Sequence, residues 1–90
     1  LGISDLIRIK VNCYTRQSEK VQSEFHQDFM YPHQVGIFSV NTCNGYTIFK
    51  NGEKAKSIAN TLYLFDGNEF HASVGQTDTN LRVNININFI

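Results

Sequence analysis

Ninety residues carry eight basic and eight acidic side chains, a length that allows one domain, residues 1–90, and no more. A hydrophobic content of 41% with 18% charged residues belongs to a folded chain rather than a disordered one. Zero net charge lacks the basic footprint of a nucleic-acid binder and the polybasic signal for an anionic membrane, and no apolar run approaches the roughly 18 residues of a membrane span.

In chain order, Ile7, Ile9, Val11 and Cys13 alternate with Arg8, Lys10 and Asn12. Period two with one charged side predicts a half-buried strand with the apolar residues inward. Val21, Phe25 and Phe29 then recur every four residues between Thr15 and Met30. That spacing predicts an amphipathic helix, capped by Thr15 or Ser18 and ended by Pro32. Val35 to Val40 and Tyr46 to Lys50 read as strands. Asn51-Gly52 is a hairpin signal, with Glu53 to Ser57 as the return arm. Thr61 to Phe65, apolar on both faces, predicts a central strand. After an Asp66-Gly67 turn, Glu69 to Val74 alternates with Phe70, Ala72 and Val74 inward. Leu81 to Phe89 alternates with Arg82, Asn84, Asn86 and Asn88, which places the asparagine row on a solvated face. One helix packed on an antiparallel sheet is an α+β fold.

The cysteines, Cys13 and Cys43, form no CxxC pair, and three scattered histidines make no zinc framework. No metal or cofactor is expected. The two thiols either pair, closing a loop worth about 3–4 kcal/mol, or are two buried free cysteines. A start at Leu1 rather than Met fits either a chain processed from a longer precursor or one that was trimmed, and a short two-cysteine domain fits secretion.

The order Tyr31-Pro32-His33, Thr47 to Glu53, Leu62 to Asp66 and Phe70 to Thr77 resembles the small guanyl-specific fungal ribonucleases. The resemblance implies a microbial ribonuclease-like fold. Of that family's catalytic set only His33 is matched. The Glu position falls at Gly45, the Arg position at Leu62 and the second His position at Gln76. Gln cannot move a proton near neutral pH, and Leu cannot stabilise a phosphorane. A ribonuclease scaffold without its chemistry resembles the ribonuclease-like secreted effectors of powdery mildew fungi. That resemblance implies a non-enzymatic, monomeric, secreted virulence or avirulence protein acting in a plant host. Its partner would be a host protein such as an immune receptor, met in the host cytoplasm after delivery, or weakly bound RNA, with no membrane. The rival readings are an active ribonuclease with a rearranged site using His33 and His71, and an unrelated secreted β-rich binding module.

The candidate binding residues are His33, Tyr31, Tyr46, His71 and Gln76. Tyr31, Tyr46 and Tyr63 offer stacking surfaces for bases or pack in the core. His33, after Pro32, is either a buried, backbone-bonded ring or a binding group. His71 shares a side of its strand with Glu69 and Ser73 and is expected to face solvent, as is His26.

Overall fold

The computed structural model describes residues 2–90 and contains seven strands and no helix among them. They are β1 (Leu6–Thr15), β2 (Gln34–Ser39), β3 (Tyr46–Phe49), β4 (Lys54–Lys56), β5 (Thr61–Asp66), β6 (His71–Val74) and β7 (Leu81–Phe89). They form two antiparallel sheets, one ordered β1-β7-β2-β5 and the other β4-β3-β6. The fold is all-β. The one-helix α+β arrangement is corrected, and with it the resemblance to ribonucleases and to their effector relatives.

The error lies in residues 15–31. The four-residue spacing of Val21, Phe25 and Phe29 suits a helix, but propensity is weak against tertiary demand. β6 is the outer strand of the smaller sheet, and an unpaired strand edge is costly when covered. The segment instead runs extended along it. Ser23 N–H donates to Ser73 O at 2.9 Å, and His26 and His71 exchange backbone hydrogen bonds at 2.9 and 3.0 Å. Ser73 N–H in turn donates to Ser23 Oγ at 2.9 Å. Isolated bridges at Gln22–Val74 and His26–His71 mark the pairing. Val21 and Phe25 consequently lie exposed rather than forming a buried stripe.

The strands fall close to where alternation puts them, but several faces are reversed. In β1 the side chains of Arg8, Lys10, Asn12 and Tyr14 share a face with Asn88, Asn86, Asn84 and Arg82 of β7. Arg82, Asn84 and Asn88 are buried, whereas Ile9 and Val11 are exposed. The asparagine row is therefore interior. Asn12 Nδ2 donates to Asn84 Oδ1 at 3.0 Å, and Arg82 Nη1 donates to Ser73 Oγ and Val74 O at 3.1 and 3.2 Å. Alternation distinguishes two faces without saying which is inside. β5 is an edge strand with Leu62 and Leu64 exposed, not a central one. Phe70, expected inward, is also exposed.

The apolar core occupies the other half of the space between the sheets. Val35, Ile37, Phe49, Ala55 and Phe65 form it, with Tyr63 packed against them. Phe49 meets Phe65 edge-on at 4.9 Å and stacks on Tyr63 at 5.5 Å. The β3–β4 hairpin closes as its sequence predicts. Gly52 takes φ +94°, Gly52 N–H donates to Phe49 O, and Glu53 N–H donates to Asn51 Oδ1, both at 2.9 Å. Cys13 is exposed on β1 and Cys43 lies in the β2–β3 loop. Both are free thiols, so the disulfide reading is corrected.

Candidate functional site

The interior polar faces of β1 and β7 meet β6 and residues 23–28 across a cleft of about 250 Å³. Its walls include Arg8, Lys10, Asn84 and Asn86 on one side and His26, Asp28 and His71 on the other. Buried polar groups need partners, and the densest set of them surrounds Asp28.

His71 sits at the start of β6, opposite Phe49. Its ring packs edge-on against Phe65 at 5.0 Å and tilts over His26 at 4.5 Å. Only 5% of its side chain is exposed, which corrects the solvent-facing expectation. Its Nδ1–H donates to Glu69 O at 3.0 Å, and the Nδ1–H of His26 donates to Glu24 O at 3.3 Å. With Nδ1 committed to a carbonyl, each ring turns Nε2 towards the same carboxylate. Both Nε2 atoms lie 3.4 Å from Asp28 Oδ1. His26 and Asp28 are two residues apart on an extended segment, so they share a side.

Asp28, with 6% of its side chain exposed, is held from behind. Asn88 Nδ2 donates to Asp28 Oδ2 at 3.0 Å and to His33 Nε2 at 3.3 Å. His33 Nδ1–H donates to Tyr31 O at 2.9 Å. The Arg8 guanidinium approaches Asp28 Oδ2 at 3.8 Å and lies over the Phe29 ring. A chain of polar contacts thus runs from His33 through Asn88 and Asp28 to His71 and His26.

The electrostatics follow from this packing. The His71 hydrogen bond holds the Asp28 carboxyl well below its ordinary 3.8, against the opposing effect of burial and with help from Asn88 and both histidines. Burial pulls His71 down, but its bonds to Asp28 and the Glu69 carbonyl outweigh that, and its net displacement from 6.5 is upward. Asp28 therefore stabilises the fold fully above its ordinary 3.8, and that contribution is lost as pH falls through its lowered value. His71 contributes fully below its ordinary 6.5, and its share is lost as pH rises through its raised value. The protein free of bound ions is expected to be most stable between about pH 4 and 6.5. Thermal denaturation across pH checks this, and a maximum on the alkaline side of neutrality contradicts it.

Of the residues singled out in the sequence, His33 and His71 belong to one network, and Tyr31 stands beside it, 5.8 Å from the His33 ring and stacked on Phe29 at 5.4 Å. Tyr46 and Gln76 lie outside the cleft lining. Tyr46 carries the ammonium groups of Lys20 and Lys54 over its ring at 5.0 and 4.8 Å. Gln76 is buried and donates to Tyr14 O at 2.8 Å. The matches of Gly45 and Leu62 to catalytic positions lapse with the ribonuclease fold, and so does the effector function built on it. Sequence reasoning missed Asp28, His26 and Asn88. The His26-x-Asp28 spacing was visible, but it brings two side chains together only on an extended chain.

No family model matches the chain, and no curated protein matches it in sequence. Among solved structures it is similar to an RmlC-like cupin protein from Desulfovibrio desulfuricans, with a TM-score of 0.59 at 11% identity over 92% of this chain and 77% of that one. The likeness is one of fold: two antiparallel β-sheets packed as in a cupin, which is the β-rich architecture rather than the ribonuclease one.

Proposed function

We propose that this chain is a β-sandwich binding module that takes a divalent first-row transition metal ion at His26, Asp28 and His71. The observation that carries this is the convergence of three ligand atoms, His26 Nε2, His71 Nε2 and a carboxylate oxygen of Asp28, all within 4.8 Å of one another. With both Nδ1 atoms donating to backbone carbonyls, the atoms facing each other carry lone pairs. Lone pairs gathered in this way favour a positive charge among them, which a bound metal ion supplies. Ligand atoms bound at about 2.0–2.2 Å in a tetrahedral site stand roughly 3.4 Å apart, which matches both His–Asp separations. Two imidazoles and a carboxylate suit zinc, iron, cobalt or nickel better than calcium or magnesium.

The outer shell fits the same reading. Each imidazole is oriented by a carbonyl and the carboxylate by Asn88, the kind of support that fixes ligand geometry. Three protein ligands leave a coordination position free, and the polar cleft stands beside it. A small ligand with oxygen donors reaching that position would meet Asn84, Asn86, Lys10 and Arg8 in the same cleft.

Calorimetric titration of chelator-treated protein with zinc is expected to show one equivalent bound and a raised unfolding temperature. Cobalt should add visible bands of a low-coordinate site. His71→Ala is expected to weaken zinc binding at least ~100-fold, beyond the ~10–100-fold of losing an outer-shell partner. His26 is 53% exposed in its side chain, so His26→Ala keeps the test readable if the buried substitution disturbs folding. No zinc uptake by the wild type, or unchanged uptake by a folded His26→Ala and His71→Ala pair, overturns the reading.

A further inference from the structure

The reversal of β1 and β7 leaves the outward side of the larger sheet apolar. The strand register aligns it in rows. Ile9, Ile87, Gly36 and Leu64 make one row across the four strands, and Val11, Ile85, Phe38 and Leu62 make the next. Cys13 and Val83 begin a third, which Val40 extends through its backbone bond to Val83 O at 3.0 Å. No charged side chain occurs in any row. Ile9 is 58% exposed, Val11 60% and Leu64 49%. The Leu62 and Leu64 side chains lie 3.2 Å from where a Gly36 Cβ would stand, so they fold over the glycine and level the face.

From this we infer that the outward face of the β1-β7-β2-β5 sheet is a homodimer interface, covered by the same face of a second copy. Residues on one side of a strand repeat every ~6.8 Å and strands stand ~4.8 Å apart, so the face measures roughly 20 Å by 20 Å in plan. The largest apolar patch on a typical monomer is about 300–600 Å², and a stable dimer covers about 800 Å² on each partner. Leu62, Val40 and Leu81, 39%, 45% and 47% exposed, carry the accessible apolar surface of this face beyond its plan area and towards that of a dimer contact. Its chemistry suits a second copy in particular. A two-fold interface sets each patch against itself, and the three apolar rows meet their copies with no like-charge repulsion, the row of Gln34 and Asp66 lying at their margin. Two flat sheet faces pack well at about 10 Å separation. The chain also has reason to gain from pairing, because only eight hydrophobic residues are buried among the described residues, a small core for a chain of this length.

Sedimentation equilibrium at micromolar and millimolar chain concentrations tests this. Wild type is expected at twice the chain mass, and Val11→Lys and Leu64→Lys at the chain mass with unchanged circular dichroism. A wild type that stays monomeric throughout overturns the inference, and the face then belongs to a different partner or to another segment. A dimer that survives both folded lysine variants also overturns it, by placing the contact elsewhere. Should the variants misfold, alkylation of wild-type Cys13 decides the matter. Its thiol lies in the third row, and its reaction is expected to slow several-fold on going from dilute to concentrated protein, with Cys43 as the internal reference. An unchanged Cys13 rate overturns the inference.

Discussion

Gly67→Ala is expected to destabilise the protein by on the order of 3 kcal/mol or more. Gly67 N–H donates to His33 O at 2.8 Å, and the His33 ring packs directly onto the glycine Cα. A Cβ built there overlaps three atoms of the imidazole. Overpacking alone typically costs about 1–3 kcal/mol. Here the displaced group is a buried ring whose Nδ1–H and Nε2 are both hydrogen-bonded. Moving it leaves Asn88 short of one acceptor and releases the support behind Asp28. Gly52→Ala is the informative control. Gly52 has φ +94° but open space around its Cα, so only backbone strain of about 1–2 kcal/mol is expected. Chemical denaturation of the two variants checks the difference. A Gly67→Ala protein as stable as Gly52→Ala would show that the imidazole yields without cost.

Asn88→Ala is expected to cost about 2–4 kcal/mol of stability and to weaken zinc binding ~10–100-fold. The Asn88 side chain is fully buried, and its amide spends both hydrogens, one on Asp28 Oδ2 and one on His33 Nε2. Its Oδ1 has no protein partner among the described residues, so the donor side is what the structure uses. Alanine removes both donors and leaves a carboxylate oxygen and an imidazole nitrogen without their protein donor. Denaturation in the presence of chelator reads the stability loss, and calorimetry reads the loss in metal affinity. A variant with wild-type zinc affinity would separate Asn88 from the site and leave it a purely structural residue.

Legibility from the sequence divides along physical lines. Strand positions were readable because alternation and turn chemistry are local. Asn51-Gly52 closes its hairpin through contacts within five residues, and β7 spans Leu81–Phe89 as its alternation indicates. The segment before Pro32 was misread because two patterns coincide there. Val21, Phe25 and Phe29 fit a helical stripe, while His26 and Asp28 fit one side of an extended chain. What decided between them was the free edge of β6, formed by residues nearly fifty positions away. The site inherits that difficulty. His26 and Asp28 come from the misread segment, His71 from β6 and Asn88 from the last strand. None of the three separations is short enough to appear as a motif.

The sequence by itself determined where most of the strands lie, the uncharged balance, and the turns at Asn51-Gly52 and Asp66-Gly67, but not that residues 15–31 run extended rather than helical. Only the tertiary structure decided which side of each strand is inside. A period of two reads the same with either face inward, and the choice falls to the polar groups that must find partners. Asn84, Asn88 and Arg82 find them between the sheets. Their burial opens a polar cleft around Asp28 and sends Ile9, Val11, Ile85 and Ile87 to the outside.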